Sequence, residues 1–458
     1  HCASLAEPVL FLRYKGGQGP LTTEATNRPL PVGNAFAFAH PTAGFPARAC
    51  GNDLSDDGHF LLGGCTEYQF PISSRGVGSP LTVRGTAMQR MDTGNKGAEE
   101  NAMKKLGIIA GLAVLFGSGL VHPGQACTTF NLQEGMENLI GKNYDWSLGA
   151  GLVIVNKRGM SKTALLVDSE TGSPASWRAK FGSITFNQYG REFPQGGMNE
   201  AGLVVETMMV PNAQFPAPDT RPYLNTMQWR QYQLDNFATV DEVIAGDSQV
   251  RISGSGKAPG VHFLVGDRTG DCAIIEFFGG KTVIYHRGNM PLRVLSNSAY
   301  AECLDFWKKR TLPEPDPYQS VSRFVKAAEM VRELSLAPSP ALADEAFGVL
   351  ERTVQEGKTK WSIVYDLHGL QVLFRTSANP KIRHIDLEKV DFSCRTPVQV
   401  LDVDTGLAGN VAAGFRDYSF QINRELIEKA FKGTESLRGV PDALLEKRAR
   451  HPESASCN

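Results

Sequence analysis

The chain has almost no excess charge: its 458 residues carry a formal net charge of −1. That removes the electrostatic basis for binding nucleic acid or an anionic membrane surface. Long apolar runs are also scarce. The only one, Leu106–Val121, falls short of the roughly 20 residues a membrane-spanning helix needs, so no stable span is expected. Eight cysteines form no CxxC pair and no metal-ligand spacing. The histidines are scattered, and His262, His286, His368 and His384 form no paired ligand motif; each reads as an ordinary surface or strand residue. No Gly-x-Ser-x-Gly elbow is present, which removes that route to a nucleophilic serine. Gly280-Lys281-Thr282 and Gly357-Lys358-Thr359 look like the end of a phosphate-binding loop, but Ile275 and Arg352 stand where its first glycine is required. No cofactor or metal is called for, and there is no internal repeat.

What the chain does have is a leader-like segment. Met103-Lys104-Lys105 is a positive start, Leu106–Val121 an apolar middle, and Pro123-Gly124-Gln125-Ala126 ends on a small residue. Cleavage after Ala126 would make Cys127 the first residue of the mature chain. A cysteine there carries a thiol and a free α-amine, and an α-amine titrating at about 7.7–8.0 can accept the thiol proton without a histidine. The expected organisation is therefore 103–126 as a signal peptide and 127–458 as one catalytic domain, long enough for a sizeable core. Residues 1–102 differ: they begin with His1, are crowded with Gly, Pro, Thr and Arg, and hold no helical or strand period. They read as upstream sequence translated in frame (Glu99-Glu100 can be encoded GAGGAG, a ribosome-binding sequence), with a disordered pro-segment as the alternative.

Within 127–458, Gly151–Arg158, Thr163–Val167, Ser183–Gln188 and Leu203–Val210 read as strands. Thr226–Ala245 reads as one long helix, with Met227, Leu234, Phe237, Val240 and Ile244 at helical spacing. Strands return at His262–Gly266, Cys272–Phe278 and Thr282–His286. Helices at Ser322–Leu334 and Asp344–Gln355 precede strands at Trp361–Tyr365 and Val372–Arg375. Runs of strands, then helices, then strands argue for segregated layers rather than βαβ alternation, with two antiparallel sheets covered by helices. If Cys127 stays a free thiol, Cys272, Cys303, Cys394 and Cys457 remain for disulfides in an oxidising compartment, and their pairing is open.

Five segments, in order, carry a resemblance: Ala126-Cys127-Thr128; Asn143-Tyr144-Asp145-Trp146; Gly197-Met198-Asn199-Glu200-Ala201-Gly202-Leu203; Leu295-Ser296-Asn297-Ser298; and Ser322-Arg323-Phe324. From Cys127 to about Phe392 the sequence resembles the choloylglycine hydrolase family, the bile salt hydrolases and penicillin V acylases of the N-terminal nucleophile superfamily. The resemblance implies an α+β fold of four αββα layers, with two stacked antiparallel sheets between helix layers. It implies hydrolysis of a linear, non-peptide amide whose acyl part is apolar, such as a conjugated bile salt, a phenoxyacetyl penicillin or an acyl-homoserine lactone. Cys127 is the expected nucleophile and Asp145 the anchor of its amine. Asn297 and a backbone N–H near Met209 are the expected oxyanion donors, and Arg323 supports developing charge. Lys142 stands where the family usually has arginine; it keeps the charge but loses the planar fork. A homo-oligomer is left open, because the stretch between Asn297 and Arg323, which helps hold the tetramer of Gram-positive relatives, is shorter here. A leader without a cell-wall anchor points to a Gram-negative periplasm.

The rival reading is a lipid-anchored binding protein with Cys127 acylated. A lipoprotein signal prefers an aliphatic residue where Gly124 stands and a small one where Gln125 stands, so the match is poor. Peptide mapping of the natural protein is expected to return no peptides from residues 1–90; abundant ones would overturn the reading of 1–102.

Overall fold

The strand Val204–Met209 shows how the layers arise. Its side chains alternate by the pleat: Val204 and Met208 join one core, Val205 another. The neighbouring strand Val261–Gly266 does the same, with Leu264 on one side and Phe263 and Val265 on the other. A sheet apolar on both faces has to be covered on both, and that dictates the architecture. The structure is a computed structural model that describes residues 127–457 apart from 167–169, 255–258, 317–318, 337–338 and 340. The expectations for 1–102 and 103–126 fall outside the described residues.

The first sheet has seven strands, in the spatial order Val294–Leu295, Thr128–Glu134, Glu137–Asp145, Thr359–Asp366, Gln371–Thr376, Arg383–Asp386 and Gly409–Asn410. The second has nine, in the order Lys281–His286, Cys272–Phe278, Val261–Gly266, Val204–Met209, Gly196–Asn199, Ser183–Asn187, Leu152–Asn156, Gln399–Asp402 and Arg416–Asp417. Pairing is antiparallel throughout except at Arg383–Asp386 with Gly409–Asn410. Phe130, Leu132 and Ile140 of the first sheet share a core with Val153, Phe186, Val204, Met208, Leu264 and Ile274 of the second. Helices Ser320–Leu334 and Leu342–Arg352 cover the first sheet, packing on Thr128–Glu134 and Glu137–Asp145 respectively. On the other side, Trp229, Leu234, Val240 and Val243 pack on the outward residues of the second sheet. The αββα layering and the α+β class expected from the sequence are what is found.

Two expectations are corrected. The single helix over Thr226–Ala245 is two, Thr226–Asn236 and Val240–Gly246. Thr239 breaks the run: its hydroxyl caps the Glu242 N–H while Glu242 Oε2 accepts from the Thr239 N–H, a reciprocal box that starts a new helix. The strand expected at Thr163–Val167 lies earlier, at Met160–Thr163, paired with Ser176–Arg178 and with Ser456–Cys457. Helices Tyr300–Lys309, Phe420–Gly433 and Asp442–Arg450 were not read from the sequence.

The open cysteine pairing resolves as Cys394–Cys457, with Cys127, Cys272 and Cys303 free and buried. Among the described residues no helix is long and apolar enough to cross a membrane. The bridge ties the final short strand across 63 residues of chain, enclosing helices Phe420–Gly433 and Asp442–Arg450. Replacing both with serine, Cys394→Ser/Cys457→Ser, should lower the unfolding free energy by about 2–4 kcal/mol through the larger unfolded ensemble. Denaturant titration checks this; a midpoint equal to that of the parent would show the bridge unformed.

Candidate active site

Strand register assembles the site. Thr128–Glu134 and Glu137–Asp145 form a hairpin whose turn needs the positive φ of Gly135, +57°. Thr128 pairs with Asn143, so Cys127, one residue earlier, lies beside Tyr144 and Asp145. On its other edge Thr129 pairs with Leu295, so the same count puts Asn297 beside Cys127. Residues 18 and 170 positions away thus flank one cysteine because three antiparallel strands share a register.

Cys127 is 6% exposed. Its backbone N–H donates to Asn297 Oδ1, and the backbone N–H of Asp145 reaches its sulfur. Arg323 stands in the first turns of the helix that packs on Thr128–Glu134. Its Nη1 donates to the Cys127 carbonyl and to Thr128 Oγ1, and its Nη2 to Asn297 Oδ1 at 3.0 Å. Asn297 Nδ2 donates to the Met209 carbonyl at 2.8 Å. That leaves the second hydrogen of the Asn297 amide uncommitted to Met209. The Val210 N–H donates to Gly260 O, so the alternation of the ladder turns both the N–H and the C=O of Met209 to the opposite edge, toward Asn297.

Asp145 is fully buried. Its Oδ1 accepts from Thr359 Oγ1 at 2.6 Å, while Oδ2 has no hydrogen-bond partner. Burial pushes its carboxyl up to about 6, against the pull of Arg323 and the Thr359 hydroxyl. Lys142 is equally buried. Its ammonium donates to the Thr207 carbonyl, lies 3.2 Å from Met208 Sδ and pairs with Glu206 at 3.5 Å. Glu206 Oε1 also accepts from Tyr365 OH at 2.6 Å. Burial pushes the Cys127 thiol up, and the charges of Lys142 and Arg323 pull it back down.

All six residues expected at the site, Cys127, Lys142, Asp145, Met209, Asn297 and Arg323, therefore meet around the start of one strand. Others join that the sequence did not signal: Thr359, at the head of an apolar strand, and Ser320, whose hydroxyl accepts the Asn297 N–H at 2.9 Å. His262, read as ordinary, is a strand residue with no exposed surface, bonded to Ser296. Asp241, Asp271 and His286 converge elsewhere with metal-ligand chemistry, but Arg287 already donates to both carboxylates at 2.8 Å.

Residues 127–311 match the family described as linear amide C–N hydrolases, choloylglycine hydrolase family. The chain is 28% identical over 263 residues to a penicillin V acylase of Pectobacterium atrosepticum, covering 48% of this chain and 69% of the relative. Among solved structures, a penicillin V acylase from Agrobacterium tumefaciens superposes with a TM-score of 0.54 at 26% identity, covering 64% of this chain and 98% of that one. A conjugated bile acid hydrolase from Clostridium perfringens gives a TM-score of 0.48 at 15% identity, covering 62% and 98%.

The electrostatics predict the order in which the thiols react. Cys272 and Cys303 have no exposed surface, and burial pushes both up to about 12. Cys127 keeps some exposure and has the charges of Lys142 and Arg323 drawing its thiol down against burial, so it should be the first cysteine alkylated by iodoacetamide in the folded protein. Replacing the buried pair together, Lys142→Met/Glu206→Gln, avoids a lone buried carboxylate and should move the alkylation profile to higher pH. An unmoved profile would mean that the Lys142 charge does not act on the thiol.

Proposed function

Because the chain belongs to the choloylglycine hydrolase family of linear amide C–N hydrolases, we propose that Cys127, freed by removal of the leader, is the nucleophile that cleaves the amide of a small acyl-amine substrate. The observation that carries this reading is Asp145 Oδ2: a carboxylate oxygen buried beside Cys127 with no hydrogen-bond partner. In the uncleaved chain Cys127 has a single N–H, and Asn297 Oδ1 takes it. A free α-amine adds a second N–H and a lone pair. The N–H satisfies Asp145 Oδ2; the lone pair accepts the thiol proton. A cation there also offsets the cost of ionising Asp145 in the interior. Without one, a carboxyl raised from 3.8 to about 6 contributes stability at acidic pH that is lost as the pH rises through 6.

The reaction follows from these positions. The thiolate attacks the amide carbon, and the carbonyl electrons move onto oxygen. That oxyanion is met by the second hydrogen of Asn297 Nδ2 and by the Met209 N–H. As the C–N bond breaks, the α-ammonium gives its proton to the leaving nitrogen. Water, deprotonated by the same amine, then attacks the thioester and releases the acid and the thiol. Arg323 holds the Cys127 carbonyl and Asn297 in place throughout.

Penicillin V, conjugated bile salts and acyl-homoserine lactones are the substrate classes to assay. The Cys394–Cys457 bridge supports an oxidising location, for which we propose a Gram-negative periplasm. The lipid-anchor reading needs an outward-facing thiol, and the burial of Cys127 in the core speaks against it.

The test compares protein beginning at Cys127 with protein that retains its leader. Only the first should turn over substrate; equal rates would remove the α-amine from the mechanism. Cys127→Ala should abolish turnover. Asn297→Ala should cost about 10²–10³ in kcat with KM little changed. Asp145→Asn removes the charge that raises the amine, so the rising limb of the pH–rate profile should move to lower pH. An unmoved limb would show that Asp145 does not touch the amine.

A further inference from the structure

We propose that His262, held by Glu276, is a positioning residue that fixes the peptide from which the Asn297 side chain departs. This inference rests on the reading of Asn297 as an oxyanion donor. The first sheet's edge strand is only Val294–Leu295, so its ladder ends two residues before Asn297. The backbone of 296–297 has to be held by something else. His262 Nε2 lies 2.7 Å from the Ser296 carbonyl, and the Asn297 N–H donates to Ser320 Oγ at 2.9 Å. That carbonyl and that N–H belong to one peptide unit, which is therefore clamped at both ends. Its plane sets the direction of the Asn297 side chain, whose Oδ1 meets Cys127 and Arg323 and whose Nδ2 meets Met209.

The imidazole is held in turn. Its Nδ1 lies 2.7 Å from Glu276 Oε1, and the same oxygen accepts the Tyr300 N–H at 3.0 Å, at the start of the helix that follows Asn297. Because Nε2 faces only a carbonyl, it must carry a hydrogen in any arrangement that makes this contact. His262 and Glu276 have essentially no exposed surface. Burying such a pair is costly, and apolar residues of similar volume would hold two strands together as well. A directed donor at Ser296 is what apolar residues cannot supply.

The experiment keeps the network neutral while moving one donor, in protein beginning at Cys127. In His262→Gln/Glu276→Gln, the glutamine at 262 can still donate to Ser296 and accept from position 276. In His262→Leu/Glu276→Gln the donor is gone and no charge is stranded. The first should keep kcat within about threefold of the parent. The second should lose about tenfold or more in kcat with KM within about twofold, the effect of one lost hydrogen bond on a group that acts in the transition state. In an Asn297→Ala background, exchanging glutamine for leucine at 262 should have no further effect on kcat, because the residue acts through Asn297. Equal kcat for the two double variants, with Asn297→Ala still severely impaired, would overturn the positioning role and leave the reading of Asn297 standing. A normal kcat for Asn297→Ala would overturn that reading instead. Should the leucine variant fail to fold by circular dichroism, Ser320→Ala opens the other end of the clamp. Loss of kcat at constant KM, absent in the Asn297→Ala background, is again expected, and unchanged kcat would overturn the proposal.

Discussion

The guanidinium of Arg323 is the contact on which the site depends. It is almost wholly buried, and its fork reaches the Cys127 carbonyl, the Thr128 hydroxyl and Asn297 Oδ1. Those three acceptors belong to two segments 170 residues apart, and Arg323 reaches them from a third, the covering helix. A planar group with fixed donor directions sets their relative angles as well as their separation, which a lysine at this place would not do. Helix packing delivers it: Phe324 and Ala327 sit in the core while Arg323 turns to the end of the strand.

Behind this contact the interior between the sheets is unusually polar. Lys142, Glu206 and Tyr365 form a connected group, and on the other face of the same sheet Arg230, from the helix Thr226–Asn236, donates to Thr207 Oγ1 and the Gln195 carbonyl. Burial draws Arg230 down to about 10 and pushes Glu206 up. Each ion is costly alone, and each is held by opposite charge or carbonyl dipoles. Lys142 meets both Glu206 and the Thr207 carbonyl with its single ammonium group.

Much of this was legible from sequence because the relevant signals are local. The strand Cys272–Phe278 was read to the residue, and the expected place of Asp145 beside Cys127 is met by one hairpin. The helix break at Thr239 was hidden because apolar residues continue at helical spacing through Phe237, and only the capping box reveals a new start. Thr359, Ser320 and His262 act through single hydrogen bonds made across sheet or helix contacts, and no spacing rule announces those. The helix Asp442–Arg450 was missed because its apolar face is narrow, burying only Leu445 and Ala449.

The shared register has a consequence for how the chain is made. Cys127 is fixed at the head of its strand from both sides, so if it is released by cleavage as proposed, the sheet itself is a ruler for that cut. An extra residue left in front would carry the amine about 3.3 Å along the strand and turn it toward the other edge. A cut one residue late would remove the sulfur altogether and leave Thr128. On the proposed reading the cut has a tolerance of zero residues, set by the pairing of Thr128 with Asn143 and Thr129 with Leu295.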